Sequence, residues 1–245
     1  MDITEATFQA EVIERSREIP VVVDFWAAWC GPCRQLAPLI EEIGDRRSGE
    51  VLLAKVDIDA NPDLARQYEI MSIPAVKGFR DGGVVAEFVG LQPAASIEAF
   101  FNRVIPSAVE RLVTLGDEAS LREAIVRDAG HTPARVALGR ILLDDGHRDE
   151  AIEVLEPASH DMAAQGLLAR AQLASVDAPD VAAGLAALER GDREAALTHL
   201  LDAVRGSDGE LRDTVRAAMV GIFGELGDQH PLTVRFRRRL SQALY

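Results

Sequence analysis

Between Val21 and Gly90 the chain alternates strand-like and helix-like segments, and after Ile105-Pro106 the strand-like segments stop. Such a chain needs two cores, one built on a sheet and one on helices alone. VVVDFW (21–26) is a continuous apolar run holding one acid, the pattern of a strand covered on both faces. Helical spacing follows to about Arg47, then a strand-like VLLAKVDID (51–59), then a helix that opens at Asn61-Pro62. AVKGF (75–79), Asp81-Gly82-Gly83 and VVAEFVG (84–90) read as a hairpin, and Pro93 opens a helix through Val104. With an amphipathic helix over 4–17 in front, this order predicts an α/β sheet flanked by helices over residues 1–106.

Residues 107–245 are rich in Ala, Leu and Arg at helical spacing. Two turns repeat 45 residues apart, GHRDEAIEVL (146–155) and GDREAALTHL (191–200). Glycine at the turn with alanine at the crossing is what closely stacked helix–turn–helix units require. The segment is expected to be all-α, either a tetratricopeptide-like array or a helical bundle with similar turns. The tryptophan and tyrosine of a full repeat signature are missing.

The net charge of −14 excludes the basic footprint of a nucleic-acid binder. It is shared between the halves, ten cations against seventeen acids in 1–106 and sixteen against twenty-three in 107–245, and so serves mainly solubility. No apolar run has the length of a membrane span, and Met1–Glu18, with its acids and no apolar core, does not read as a signal peptide. A cytoplasmic protein with neither membrane nor nucleic-acid partners is expected.

Both cysteines lie in one stretch, VDFWAAWCGPCRQLAP (23–38). Cys30-Gly31-Pro32-Cys33 follows the apolar strand and opens a helix. That junction puts the first thiol where free N–H groups and the macrodipole favour a thiolate, with the second one turn on. Pro32 removes an N–H that the first turn would leave unpaired, and Trp29 is expected to cover the sulfurs on one side. Structural zinc would need about four ligands. The chain has no third cysteine, and His131, His147, His160, His199 and His230 all lie in the other half without ligand spacing. No metal site is expected. A permanent structural disulfide across so short a loop does not suit a reducing cytosol. The pair therefore reads as a redox centre. The lone acid Asp24, in an apolar strand, should have a raised pKa and suit proton transfer.

VDFWAAWCGPCRQLAP, KVDID (55–59), SIPAVKGF (72–79) and FVG (88–90), in this order and spacing, resemble thioredoxin over residues 1–106. The resemblance implies a thioredoxin fold and a protein-disulfide reductase whose redox group is a Cys30–Cys33 disulfide, with no other cofactor. It implies that Cys30 is the exposed nucleophile and Cys33 the resolving thiol. Asp24, beneath the pair, would relay the Cys33 proton, with Lys55 as its charge partner. Pro74 would be the cis proline facing the disulfide, Pro38 the helix kink, and Trp29, Gly31, Pro32, Ile73 and Gly90 would meet substrate. Ala75 departs from the pattern, because threonine is usual after that proline, and this bears on substrate preference and potential. Lys55 also fits a strand-edge surface charge, and Gly90 a simple strand end.

The tail, DQHPLTVRFRRRLSQALY (228–245), adds a second likeness. A thioredoxin followed by a small tetratricopeptide-like domain ending in Arg238-Arg239-Leu240-Ser241-Gln242-Ala243-Leu244-Tyr245 resembles the bacterial YbbN/CnoX group, the chaperedoxins. That resemblance implies a cytoplasmic stress-response holdase that binds unfolded or oxidised clients and hands them to refolding chaperones of the GroEL and DnaK types. Thioredoxin reductase or glutathione would supply electrons. Phe236, Arg238, Arg239, Leu240, Leu244 and Tyr245 would bind a partner. The stripe Leu232, Phe236, Leu240, Leu244 suits equally a helix packed on its own domain.

Overall fold

The computed structural model of the protein describes residues 1–244. The chain divides into two compact units, Met1–Ser107 and 108–245. None of the helices, among the described residues, is long and apolar enough to cross a membrane.

The first unit is a four-stranded mixed sheet in the order β2-β1-β3-β4. β1 (Val21–Trp26) runs parallel to β2 (Leu52–Asp57) and antiparallel to β3 (Ala75–Arg80), and β4 (Gly83–Val89) closes the hairpin on β3. The central strand is buried along nearly its whole length, as an apolar run holding a single acid suggests. Val21, Val23 and Phe25 enter one core with Phe8, Val12, Leu64 and Phe79. Val22 enters the other with Leu36, Ile40 and Ile43 of α2 (Gly31–Arg46) and Ile97, Phe100 and Phe101 of α4 (Ala94–Val104). The helices on the first face are α1 (Glu5–Phe8), which continues through a π-helical Gln9–Glu14 and a 3₁₀ turn Arg15–Arg17, and α3 (Pro62–Gln67). One pairing has no signal in the sequence. Residues 1–3 lie along the edge of β2, where Ile3 N–H donates to Lys55 O at 2.8 Å and Lys55 N–H to Met1 O at 2.9 Å.

The second unit is all helical: α5 (Ala108–Leu115), α6 (Glu118–Arg127), α7 (Thr132–Asp144), α8 (Arg148–Leu155), α9 (Met162–Leu173), α10 (Pro179–Glu189), α11 (Arg193–Gly206), α12 (Gly209–Leu226) and α13 (Pro231–Leu244). Its two repeated turns are structurally equivalent. Gly146 and Gly191 hold φ of 82° and 76°, a backbone that glycine adopts without strain. In each hairpin a glycine of the leading helix is pressed against a leucine of the following one. A Cβ on Gly139 would stand 2.5 Å from Leu155 Cγ, and one on Gly184 2.9 Å from Leu200 Cγ, again 45 residues on. The closest crossing joins α9 to α12, where a Cβ on Gly166 would come within 2.4 Å of Gly221 Cα. Asp117, Asp161 and Asp192 cap the N-termini of α6, α9 and α11 through their side chains.

Candidate active site

Cys30 and Cys33 form a disulfide with S–S 2.04 Å. Cys30 is the N-cap of α2, and its Sγ accepts a hydrogen bond from Cys33 N–H at 3.1 Å. The strand-to-helix turn is tied from both sides, by Cys30 N–H on Ala27 O (3.0 Å) and by the Arg34 guanidinium on Ala28 O (2.8 Å). Pro32 fills the first turn of α2 and Pro38 sits inside it.

One expectation for this stretch is corrected. Cys30 is not exposed: in the disulfide at the start of α2 it retains 3% of its surface and Cys33 2%. Trp29 is 66% exposed, and its indole N–H donates to Asp59 Oδ2 at 2.8 Å, just past the end of β2.

Asp24 lies on β1 with Val22, on the face that α2 covers, and is 4% exposed. Its Oδ1 is buried without a hydrogen-bond partner. Burial pushes the carboxyl up to about 6, with Lys55 pulling it down and Glu41 pushing it up. Lys55 stands opposite Asp24 in the parallel β1–β2 register. Its Nζ, however, is bonded to Glu41 Oε1 on α2, so Lys55 acts on Asp24 only through space. The partner expected for Asp24 thus has another partner, because the half-exposed Glu41 can meet the ammonium at lower desolvation cost.

The Ile73–Pro74 peptide bond is cis, and Pro74 is buried. Gly90 N–H donates to Pro74 O at 2.7 Å, which seats Gly90 beside the proline. Gly90 has φ +82°, and a Cβ there would meet nothing within 4 Å, so the space above it is open. Four apolar side chains stay in solvent in segments of this unit that carry site residues: Trp29, Met71 at 92%, Val89 and Leu91. Glu41, Arg34 and Asp59 belong to the site but escape a reading by residue type. Only helix phase and strand position, not spacing, place them.

The tail residues fall differently from expectation. Phe236 is fully buried and Leu240 is 5% exposed, both in the core formed with α11 and α12, and Leu244 packs against the same core. The apolar stripe is thus used by its own domain. Arg239 and Arg235 lie over the Phe236 ring at 4.9 and 5.0 Å from its centre, and Arg235 also pairs with Glu194. Arg238 is exposed, as is Val234. Tyr245 lies outside the described residues.

The Thioredoxin family model matches residues 1–103, and a Tetratricopeptide repeat model matches 158–245. Thioredoxin of Mycobacterium tuberculosis is 40% identical over 105 residues, 43% of this chain and 89% of that protein. Thioredoxin 1 of Synechococcus elongatus is 50% identical over 95 residues, 39% and 87% of the two chains. The mitochondrial thioredoxin of Bos taurus is 45% identical over 98 residues, 40% of this chain and 58% of that one.

Proposed function

The chain belongs to the thioredoxin family, and from that premise we propose that it reduces disulfides of protein clients which its helical half helps to hold. It is a thiol–disulfide oxidoreductase whose redox group is the Cys30–Cys33 pair itself. In the reduced form the Cys30 sulfur, at the N-cap of α2 and accepting the Cys33 N–H, is the thiol best placed to ionise. The thiolate attacks one sulfur of a client disulfide and expels the other as a thiolate, leaving a mixed disulfide on Cys30. Cys33 then gives its proton to Asp24 and attacks Cys30 Sγ. The second client sulfur leaves and takes up a proton, and the enzyme disulfide is restored. Electrons return from an external reductant, either thioredoxin reductase or two molecules of glutathione.

The client strand would lie along Ile73 and Pro74, over the open space at Gly90, with Trp29, Gly31 and Pro32 beside it. The observation that carries this reading is the disulfide at the N-cap of α2 in the unit that holds, on the α2-facing side of the sheet, a buried carboxyl whose Oδ1 has no partner. For the helical half, the repeated hairpins and the tail motif support a cytoplasmic holdase that passes clients to chaperones of the GroEL and DnaK types. Within the tail, Arg238 and Arg239 remain the residues offered to such a partner.

A Cys33→Ser variant in native cytosol should accumulate mixed disulfides on Cys30, rich in aggregation-prone proteins. Recovery of only the general reductase substrates would remove the holdase part. In the same way, heat-aggregating citrate synthase should scatter less light with the protein in several-fold excess, and unchanged scattering contradicts holding.

A further inference from the structure

We infer that Glu41 is a positioning residue for the dithiol chemistry: by holding the Lys55 ammonium in an ion pair, it denies Asp24 a counterion and keeps that buried carboxyl available as a proton carrier. Asp24 and Lys55 are register partners on adjacent parallel strands, so their side chains leave the sheet on one face, the face α2 covers. A lysine opposite a buried carboxyl is its natural counterion. Here the ammonium goes to Glu41 Oε1, and Asp24 Oδ1 is left with no partner.

The groups facing Asp24 are few. β2 supplies Lys55, α2 supplies Glu41 and the two cysteines at its start, and β3 places the apolar Val76 opposite. On α4, the other helix of this layer, Glu98 is tied by Arg46 and Arg47, and Arg103 is exposed. Glu41 therefore acts twice in one direction, by compensating the Lys55 ammonium and by adding its own negative charge. Both favour the protonated carboxyl, the same direction in which burial shifts it. A surface ion pair of this kind contributes little to stability. Its effect should lie in the proton affinity of Asp24.

The consequence for catalysis rests on the dithiol reading above, but the test does not. In the oxidised full-length protein, the Asp24 carboxyl is titrated by 13C NMR, with its signal assigned by Asp24→Asn. Glu41→Gln should lower its midpoint by about one unit, and Lys55→Gln should raise it. In the Lys55→Gln background, Glu41→Gln should have less than half its effect, because most of its action passes through the ammonium. An unmoved midpoint in Glu41→Gln overturns the inference. So does a shift equally large with and without Lys55, since Glu41 would then act without positioning anything. In catalysis, the acid limb of the pH–rate profile should move down with the midpoint in Glu41→Gln. Failure of the protein to reduce any disulfide would remove the proposed function while the carboxyl titration still decides the role of Glu41.

Discussion

Replacing Asp24 by asparagine removes a charge that the fold disfavours, and the gain should depend on pH in a calculable way. The carboxyl rises from 3.8 to about 6 on folding. The folded state therefore holds the proton more tightly than the unfolded one, and stability falls as pH rises through this window. Below about pH 3.8 both states are protonated and nothing is lost. Above about 6 the full cost is present, about 3 kcal/mol at 1.36 kcal/mol per unit. Integrating between these limits gives about 1 kcal/mol at pH 4.5 and about 3 kcal/mol at pH 8. The amide introduced by Asp24→Asn cannot ionise, so the stability of that variant relative to the parent should rise by about 2 kcal/mol over that range, on top of any constant offset. Both tryptophans, Trp26 and Trp29, lie in the first unit, so their fluorescence during urea unfolding of the oxidised protein reports that unit alone. With an m-value of about 2 kcal/mol/M, the gap between the two midpoints should widen by about 1 M from pH 4.5 to pH 8. A gap that does not change with pH would refute the raised carboxyl and the penalty on its charged form.

Two further perturbations probe the helical unit. Gly166→Ala should cost about 1–3 kcal/mol or more, because the new Cβ meets backbone at Gly221 that cannot rotate away. Gly224→Ala, on the same α12 with nothing within 4 Å, should instead gain up to about 1 kcal/mol from helix propensity. Thermal melts at 222 nm separate the two, and equal melting temperatures would contradict the close crossing. Thr233→Val should stabilise by about 1 kcal/mol, since its Oγ1 is buried without a partner. A loss in chemical denaturation would show that the hydroxyl is bonded.

The strand and helix order of residues 21–104 was legible because the central strand is an apolar run broken by one acid, and the helix starts and the hairpin turn carry glycine or proline. Asp24 stood out for the same reason, as one acid in such a run. The fate of Lys55 was not legible. Both Asp24 and Glu41 are candidate partners, and only the phase of α2 against the sheet decides between them. Residues 1–3 are too few to show alternation, so their pairing with β2 left no pattern. Nothing in the spacing of Gly166 and Gly221 announces that their backbones touch. On α13, the four-residue stripe fitted packing and docking alike, and the neighbouring α11 and α12 settle it for Phe236 and Leu240.

Disulfide exchange itself is tested most directly by insulin. With dithiothreitol as electron source, the parent protein should precipitate the insulin B chain well ahead of the uncatalysed rate, and Cys30→Ser should fall to that background. A folded parent protein no faster than dithiothreitol alone, or a Cys30→Ser variant as fast as the parent, would contradict the assignment of Cys30 as the attacking sulfur.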